Sequence, residues 1–167
     1  KGAERRIREA SFPVIKTLDS FDFTAIPSLN KPLVMALARG EYLPKRENVL
    51  AVGNSGTGKT HLAIALGLGA CHEGRKVSFF TAAGLVTALT EARDEKSLLR
   101  FKKQLARQDL VIVDEFGYVP FSKTGAELLF EFFAERYERG SVMITTNLPF
   151  DQWTEVLGSE RLTGALL

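Results

Sequence analysis

Residues 53–60 read Gly-Asn-Ser-Gly-Thr-Gly-Lys-Thr. The pattern G-x-x-x-x-G-K-T suits one task, holding the phosphates of a nucleotide. Gly53, Gly56 and Gly58 allow backbone conformations closed to other residues and keep side chains out of the way. The backbone amides of Gly53, Asn54, Ser55, Gly56, Thr57 and Gly58 can turn inward as a nest for phosphate oxygens. The helix expected from Lys59, Thr60 and His61 onward adds its positive N-terminal end. Lys59 can reach the β- and γ-phosphates as a point charge, and the Thr60 hydroxyl can ligate Mg²⁺. The motif is specific only when a strand precedes it and a helix follows. Asn48–Val52 is a short apolar run, and His61-Leu-Ala-Ile-Ala-Leu-Gly-Leu reads as a buried helix, so both conditions are met.

Two carboxylates come next. Asp114 follows the apolar run Leu110–Val113, ~55 residues beyond Lys59. An acid at that place is the expected partner of a phosphate-bound Mg²⁺. Glu115 beside it can orient and polarise a water for attack on the γ-phosphate. A phosphate-transfer enzyme with an organic acceptor has no use for such a base, so the pair favours ATP hydrolysis. The competing reading is a solvated charge pair at a strand end. Asn147 follows a further apolar run, Ser141–Thr145, and its amide can report on the γ-phosphate without adding charge. Taken alone it is equally a turn residue before Pro149. An arginine at the transition state is worth roughly 10³–10⁵ in rate. Arg161 lies in the right stretch, with a surface helix position as its alternative. Arg136 and Arg139 fit better as cations at a helix C-terminus.

These residues must be carried by a scaffold. The order along the chain is a charged stretch Lys1–Glu9, an apolar segment Ser11–Ile26, and a helix Ser28–Glu41. Strand Asn48–Val52 follows, then a helix to about Glu73 ended by Gly74, and strand Lys76–Thr81. Helices Ala82–Ala92 and Glu95–Gln108, strand Leu110–Val113, helix Thr124–Arg139, strand Ser141–Thr145 and short helical pieces complete it. Lys1–Glu9 reads as a linker or the end of a further element. Alternating strands and helices predict an α/β fold with a parallel sheet covered on both faces. The strands are nearly continuous apolar runs, as such burial requires. Ligands of these sheets bind outside the carboxyl ends of the strands. The loop, Asp114-Glu115 and Asn147 all lie there.

Composition sets the bounds. The chain has 167 residues, 45% hydrophobic and 25% charged, with a formal net charge of +2. That is enough for one domain with a real core. It gives no global basic field, so any nucleic-acid surface must be local. Lys96, Arg100, Lys103 and Arg107 recur at helical spacing and would form a basic stripe opposite Leu98, Phe101 and Leu105. That stripe is either a solvated face or a set of contacts to DNA phosphates. The single cysteine, Cys71, excludes an internal disulfide and fits a small core residue in a reducing cytoplasm. No apolar run reaches the length of a membrane span.

The strings G-N-S-G-T-G-K-T-H-L-A, L-V-I-V-D-E-F-G and I-T-T-N-L-P-F-D-Q-W resemble the AAA+ ATPase subunit of bacterial insertion sequences, the IstB-like transposition helpers. T-L-D-S-F-D-F and G-S-E-R-L-T-G-A-L-L are similar to the same family. Helicase loaders of the DnaC type and DnaA-like initiators are the next nearest kinds. The resemblance implies a P-loop NTPase of the AAA+ (ASCE) type, a three-layer sandwich whose fourth strand lies between the first and third. It implies residues 1–27 as an N-terminal segment, with Phe12–Phe23 near the adenine or in ordinary core packing. Residues 28–167 would be the ATPase core. It further implies ATP and Mg²⁺, assembly of several copies on duplex DNA with nucleotide at subunit interfaces, and recruitment of a transposase. Arg161 maps near the arginine-finger region. The family's extra N-terminal domain, fifth strand and lid are expected beyond this chain, which reads as a truncated core with an exposed strand-one edge. A helicase-loader role is the alternative, and a small-molecule phosphotransferase a third.

Overall fold

The computed structural model describes residues 2–25, 29–54, 56 and 58–152. Ten regular elements follow in order: α1 (Gly2–Ala10), α2 (Lys31–Ala38), β1 (Val49–Val52), α3 (Lys59–His72), β2 (Val77–Thr81), α4 (Ala82–Asp94), α5 (Leu98–Ala106), β3 (Leu110–Phe116), α6 (Lys123–Arg136) and β4 (Ser141–Thr146). Short 3₁₀ turns lie at Leu18–Ser20, Phe23–Ala25 and Phe150–Gln152. All strand pairs are parallel and the order is β1-β4-β3-β2. The fourth strand therefore sits between the first and third, as the resemblance implied.

The helices begin and end where local chemistry permits. Asn30 Oδ1 accepts from the Leu33 amide at the start of α2, at 3.1 Å. Thr81 Oγ1 and Ser122 Oγ do the same for Gly84 and Gly125 at the starts of α4 and α6. Such caps satisfy amides that have no partner within the helix. α3 closes with the Arg75 amide on Ala70 O and the Gly74 amide on Cys71 O. Gly74 at φ 90° permits that double closure, which a residue with a side chain resists.

Two cores flank the sheet. Leu110 and Ile112 pack with α1 and α3, while Val111 and Val113 pack with α4, α5 and α6. Successive residues of one strand thus serve opposite layers, the period-two rule of an extended chain. β3 and β4 are buried along nearly their whole length, in keeping with coverage on both faces. β1 departs from that expectation. It has β4 on one side and, among the described residues, no second neighbour; Leu50 and Val52 are 40% and 47% exposed. A cavity of about 440 Å³ lies along β1, walled by Leu33, Leu37, Leu50 and Leu66, and reaches Gly53 and Lys59.

Three expectations change. The charged N-terminal stretch is not a free linker: it is helix α1, with Ala10 buried and Ile7 against the core. Glu4, Arg5, Arg8 and Glu9 are exposed, and Arg6 Nε donates to Cys71 O at 2.8 Å. The helix expected over residues 95–108 is shorter, so Lys96 and Arg107 flank α5 rather than lie in it; Lys96 adopts φ 58° in the preceding turn. Arg136 lies in the last turn of α6, as expected of a cation at a helix end, but it is buried rather than solvated. It is 4% exposed, and its Nη atoms donate to Leu105 O, Gln108 O and Ser141 O at 2.7–3.0 Å. It closes the C-terminal end of α5 and joins it to β4. The expected helix from Glu160 onward lies outside the described residues.

Candidate nucleotide-hydrolysis site

The phosphate loop springs from β1 and ends at Gly58, which caps α3 with φ 85°; Gly56 adopts φ 79°. Both values lie where glycine is at ease and other residues are strained. The loop's start is tied to the sheet, since the Gly53 amide donates to Thr146 O of β4 at 3.1 Å. Lys59 Nζ donates to the loop carbonyls of Gly53 and Asn54 at 2.7 and 2.6 Å. Partial burial lowers its pKa, and nearby Asp114 opposes that shift. The lysine is thus folded over the loop it serves. Ser55, Thr57 and Arg161 lie outside the described residues.

Asp114 lies at the carboxyl end of β3, 2% exposed. Thr60 Oγ1, in the first turn of α3, donates toward its two oxygens at 3.0 Å each. Thr145 Oγ1 of β4 donates to Asp114 Oδ1. A hydroxyl and an anionic carboxylate at this spacing form the hard-oxygen set that suits Mg²⁺.

Glu115 follows at a break in the β3–β4 register, between Val113 and Phe116. Its φ is 60° and its side chain is exposed. Bulges of this kind re-aim a side chain. The chain therefore buries Asp114 and presents Glu115 to solvent, so two adjacent carboxylates have different surroundings. The Glu115 amide donates to Thr145 Oγ1 at 3.0 Å. A small cleft of about 150 Å³ beside Glu115 is lined by Thr81, Ala83, Tyr118 and Phe121.

Asn147 is exposed in the turn after β4, next to the residue that binds Gly53. The neighbouring Thr146 Oγ1 donates to Phe116 O at 2.6 Å and accepts from the Leu148 amide at 3.1 Å. The sequence reading missed Thr145 and Thr146. Two hydroxyls at the end of an otherwise apolar strand were the available signal.

His61 turns away from the loop: its Nε2 lies 2.8 Å from Thr17 O and 3.3 Å from Ser20 Oγ, with its ring edge-on to Phe21 at 5.2 Å. It ties the N-terminal segment to the first turn of α3. That segment divides. Phe12 packs against Phe79 with the rings tilted at 56° and lies close to α3 at Gly67, which is core packing. Phe21 sits by His61 and lines the cavity that reaches the loop. Lys96, Arg100, Lys103 and Arg107 are all exposed, in the helical layer opposite α3. Among the described residues no cluster of three or more acidic, histidine or cysteine ligands occurs, and no helix is long and apolar enough to cross a membrane.

A parallel sheet ordered 1-4-3-2, with a glycine-rich loop after its first strand and an acid near the carboxyl end of its third, is the fold of the AAA+ P-loop proteins. Solved structures share this fold. The DnaC helicase loader matches with a TM-score of 0.70 at 19% identity, over 97% of this chain and 94% of that one. AMPPCP-bound DnaA from Aquifex aeolicus matches at 0.79 and 23% identity, over 93% and 49%. The IstB-like ATP binding protein model matches residues 1–167, and the chain belongs to that family. It is 39% identical over its whole length to the insertion sequence IS21 putative ATP-binding protein of Pseudomonas aeruginosa, covering 63% of that protein. The IS5376 counterpart of Geobacillus stearothermophilus is 37% identical over 96% of this chain and 64% of its own length. The chain therefore spans less than two thirds of these relatives.

Proposed function

We propose that this chain is the ATP-hydrolysing core of a transposition helper that assembles on duplex DNA, selects a target and recruits a transposase. The observation that carries the hydrolysis is the convergence of Lys59, Thr60, Asp114 and Glu115 at one end of the sheet. The Gly53–Gly58 amides and α3 hold the phosphates, and Lys59 moves from the loop carbonyls to a phosphate oxygen. Thr60 and Asp114 would hold Mg²⁺, which would supply positive charge for the phosphate oxygens. Glu115, exposed at the end of β3, accepts a proton from the attacking water. Asn147 donates to the γ-phosphate or that water, and Arg161 serves as the transition-state arginine, in cis or across a subunit interface. His61 takes part through its first-turn backbone amide, since its ring is engaged elsewhere.

The insertion-sequence names of the relatives support the transposition role, and the exposed Lys96, Arg100, Lys103 and Arg107 offer phosphate contacts. The setting is the cytoplasm, where ATP, Mg²⁺ and DNA meet. The near-complete overlap with the DnaC helicase loader favours one rival, a loader of replicative helicase on single strands. Electron microscopy and ATPase assays on the full-length natural protein separate the two. With ATP, oligomers on duplex DNA and DNA-stimulated turnover are expected. No duplex assembly, together with tight binding to a helicase, refutes the transposition reading.

A further inference from the structure

Thr145 lies in the string I-T-T-N, of which only Asn147 was given a role, yet it touches both carboxylate-bearing residues. It is 1% exposed in β4, the strand beside the acid pair. A threonine hydroxyl has one proton to give and lone pairs to receive. Here the proton goes to Asp114 Oδ1 and a lone pair receives the Glu115 amide at 3.0 Å. Donation to the Asp114 carboxylate fixes the direction of the hydroxyl proton, and that direction leaves a lone pair aimed at Glu115. The two contacts therefore reinforce one another. Glu115 needs such support. Its φ of 60° is a conformation that a glutamate disfavours, and strained residues persist only where their surroundings over-determine them. Thr60 reaches the same carboxylate from α3, so Asp114 is braced from two elements.

We propose that Thr145 is a positioning residue for hydrolysis, its single hydroxyl setting the orientation of Asp114 and the left-handed backbone that presents Glu115. The proposal rests on the reading that Asp114 and Glu115 serve ATP hydrolysis. Valine has the shape of threonine without the hydroxyl, and serine keeps the hydroxyl without the methyl.

The test uses the full-length natural protein and measures steady-state turnover alongside affinity for a fluorescent ATP analogue. Thr145→Val is expected to lower kcat by ~10²-fold, the usual scale for a misplaced catalytic group. Nucleotide affinity should stay within about threefold, since only the reacting geometry is disturbed. Thr145→Ser should keep kcat within about threefold of the parent. Wild-type kcat in Thr145→Val, proportional loss of affinity and turnover, or equal damage from serine and valine overturns the proposal. If the valine variant does not fold, amide exchange in the parent decides. The Glu115 amide should be protected although its side chain faces solvent, and exchange at the unprotected rate overturns the proposal. Glu115→Gln is the control for the underlying reading. If it keeps full turnover, the hydrolysis reading fails and Thr145 falls with it. If it stalls while Thr145→Val turns over normally, Thr145 alone falls.

Discussion

Replacing Arg136 with methionine tests how this fold is joined. The side chain is buried, and its guanidinium donates to three backbone carbonyls: Leu105 O in the last turn of α5, Gln108 O just after it, and Ser141 O at the start of β4. Gly140 makes room for it, because a Cβ there would stand 2.5 Å from Nη2. Burial pulls the pKa of Arg136 down to about 10, which still leaves it charged at neutral pH. A hydrogen bond from a charged donor contributes about 1.5–3 kcal/mol, and a buried acceptor left alone costs about 1–3 kcal/mol. Three such bonds are lost, while the cost of burying the charge is recovered. Methionine also fills much of the volume. The net loss should be about 3–5 kcal/mol, the range for breaking a buried charged network. Heat or urea unfolding of the full-length protein at neutral pH provides the measure. At about 2–4 °C per kcal/mol, the melting temperature should fall by roughly 6–20 °C. Arg136→Lys should also lose stability, since one ammonium cannot span carbonyls on both sides. A loss below about 1 kcal/mol in the methionine variant refutes the reasoning.

Glu115→Gln should bind ATP as the parent does but slow hydrolysis by ~10²–10⁴-fold; single-turnover kinetics check it, and unchanged turnover removes Glu115 as the base. The Cys71 thiol is fully buried, which raises its pKa from 9.0 to about 11, slightly opposed by Arg6. The folded state thus holds a proton that the unfolded state releases. The stability contributed is complete below about pH 9 and is lost as pH rises through about 11. Urea midpoints measured across that window should fall less steeply in Cys71→Ala; equal slopes contradict the assignment. Neutralising Lys96, Arg100, Lys103 and Arg107 together should flatten the salt dependence of duplex binding by about 0.9 per lost phosphate contact. An unchanged slope makes them a solvated surface.

Much of this molecule could be read from its residues because the signals were local and redundant. β3 was visible as four apolar residues ahead of an acid, and α3 as an apolar run opened by Gly58-Lys59-Thr60. Gly74 marked its end. The reading of β3 stopped at Val113, however, because an acidic pair looks like the end of a strand. The strand continues to Phe116 since Thr145 and Thr146 satisfy its polar groups from β4. That information sits some 30 residues away and carries no local mark. Arg136 was rightly placed at the end of its helix, but its burial went unseen for the same reason. Its partners are backbone carbonyls, which every residue possesses and no sequence reveals. α1 was obscured by its charge density, with only Ile7 and Ala10 to betray a buried face. The basic stripe failed at its ends because periodicity does not say where a helix stops.

Thr146 fastens three segments of the site to one residue. Its carbonyl holds Gly53, its hydroxyl holds Phe116, and the same oxygen receives the Leu148 amide. The residues on both sides of Asn147 are therefore anchored to the frame that carries the loop and the acid pair. In the proposed role, Asn147 would work as a gauge needle on a fixed pivot, with no slack of a loose turn between its side chain and a phosphate.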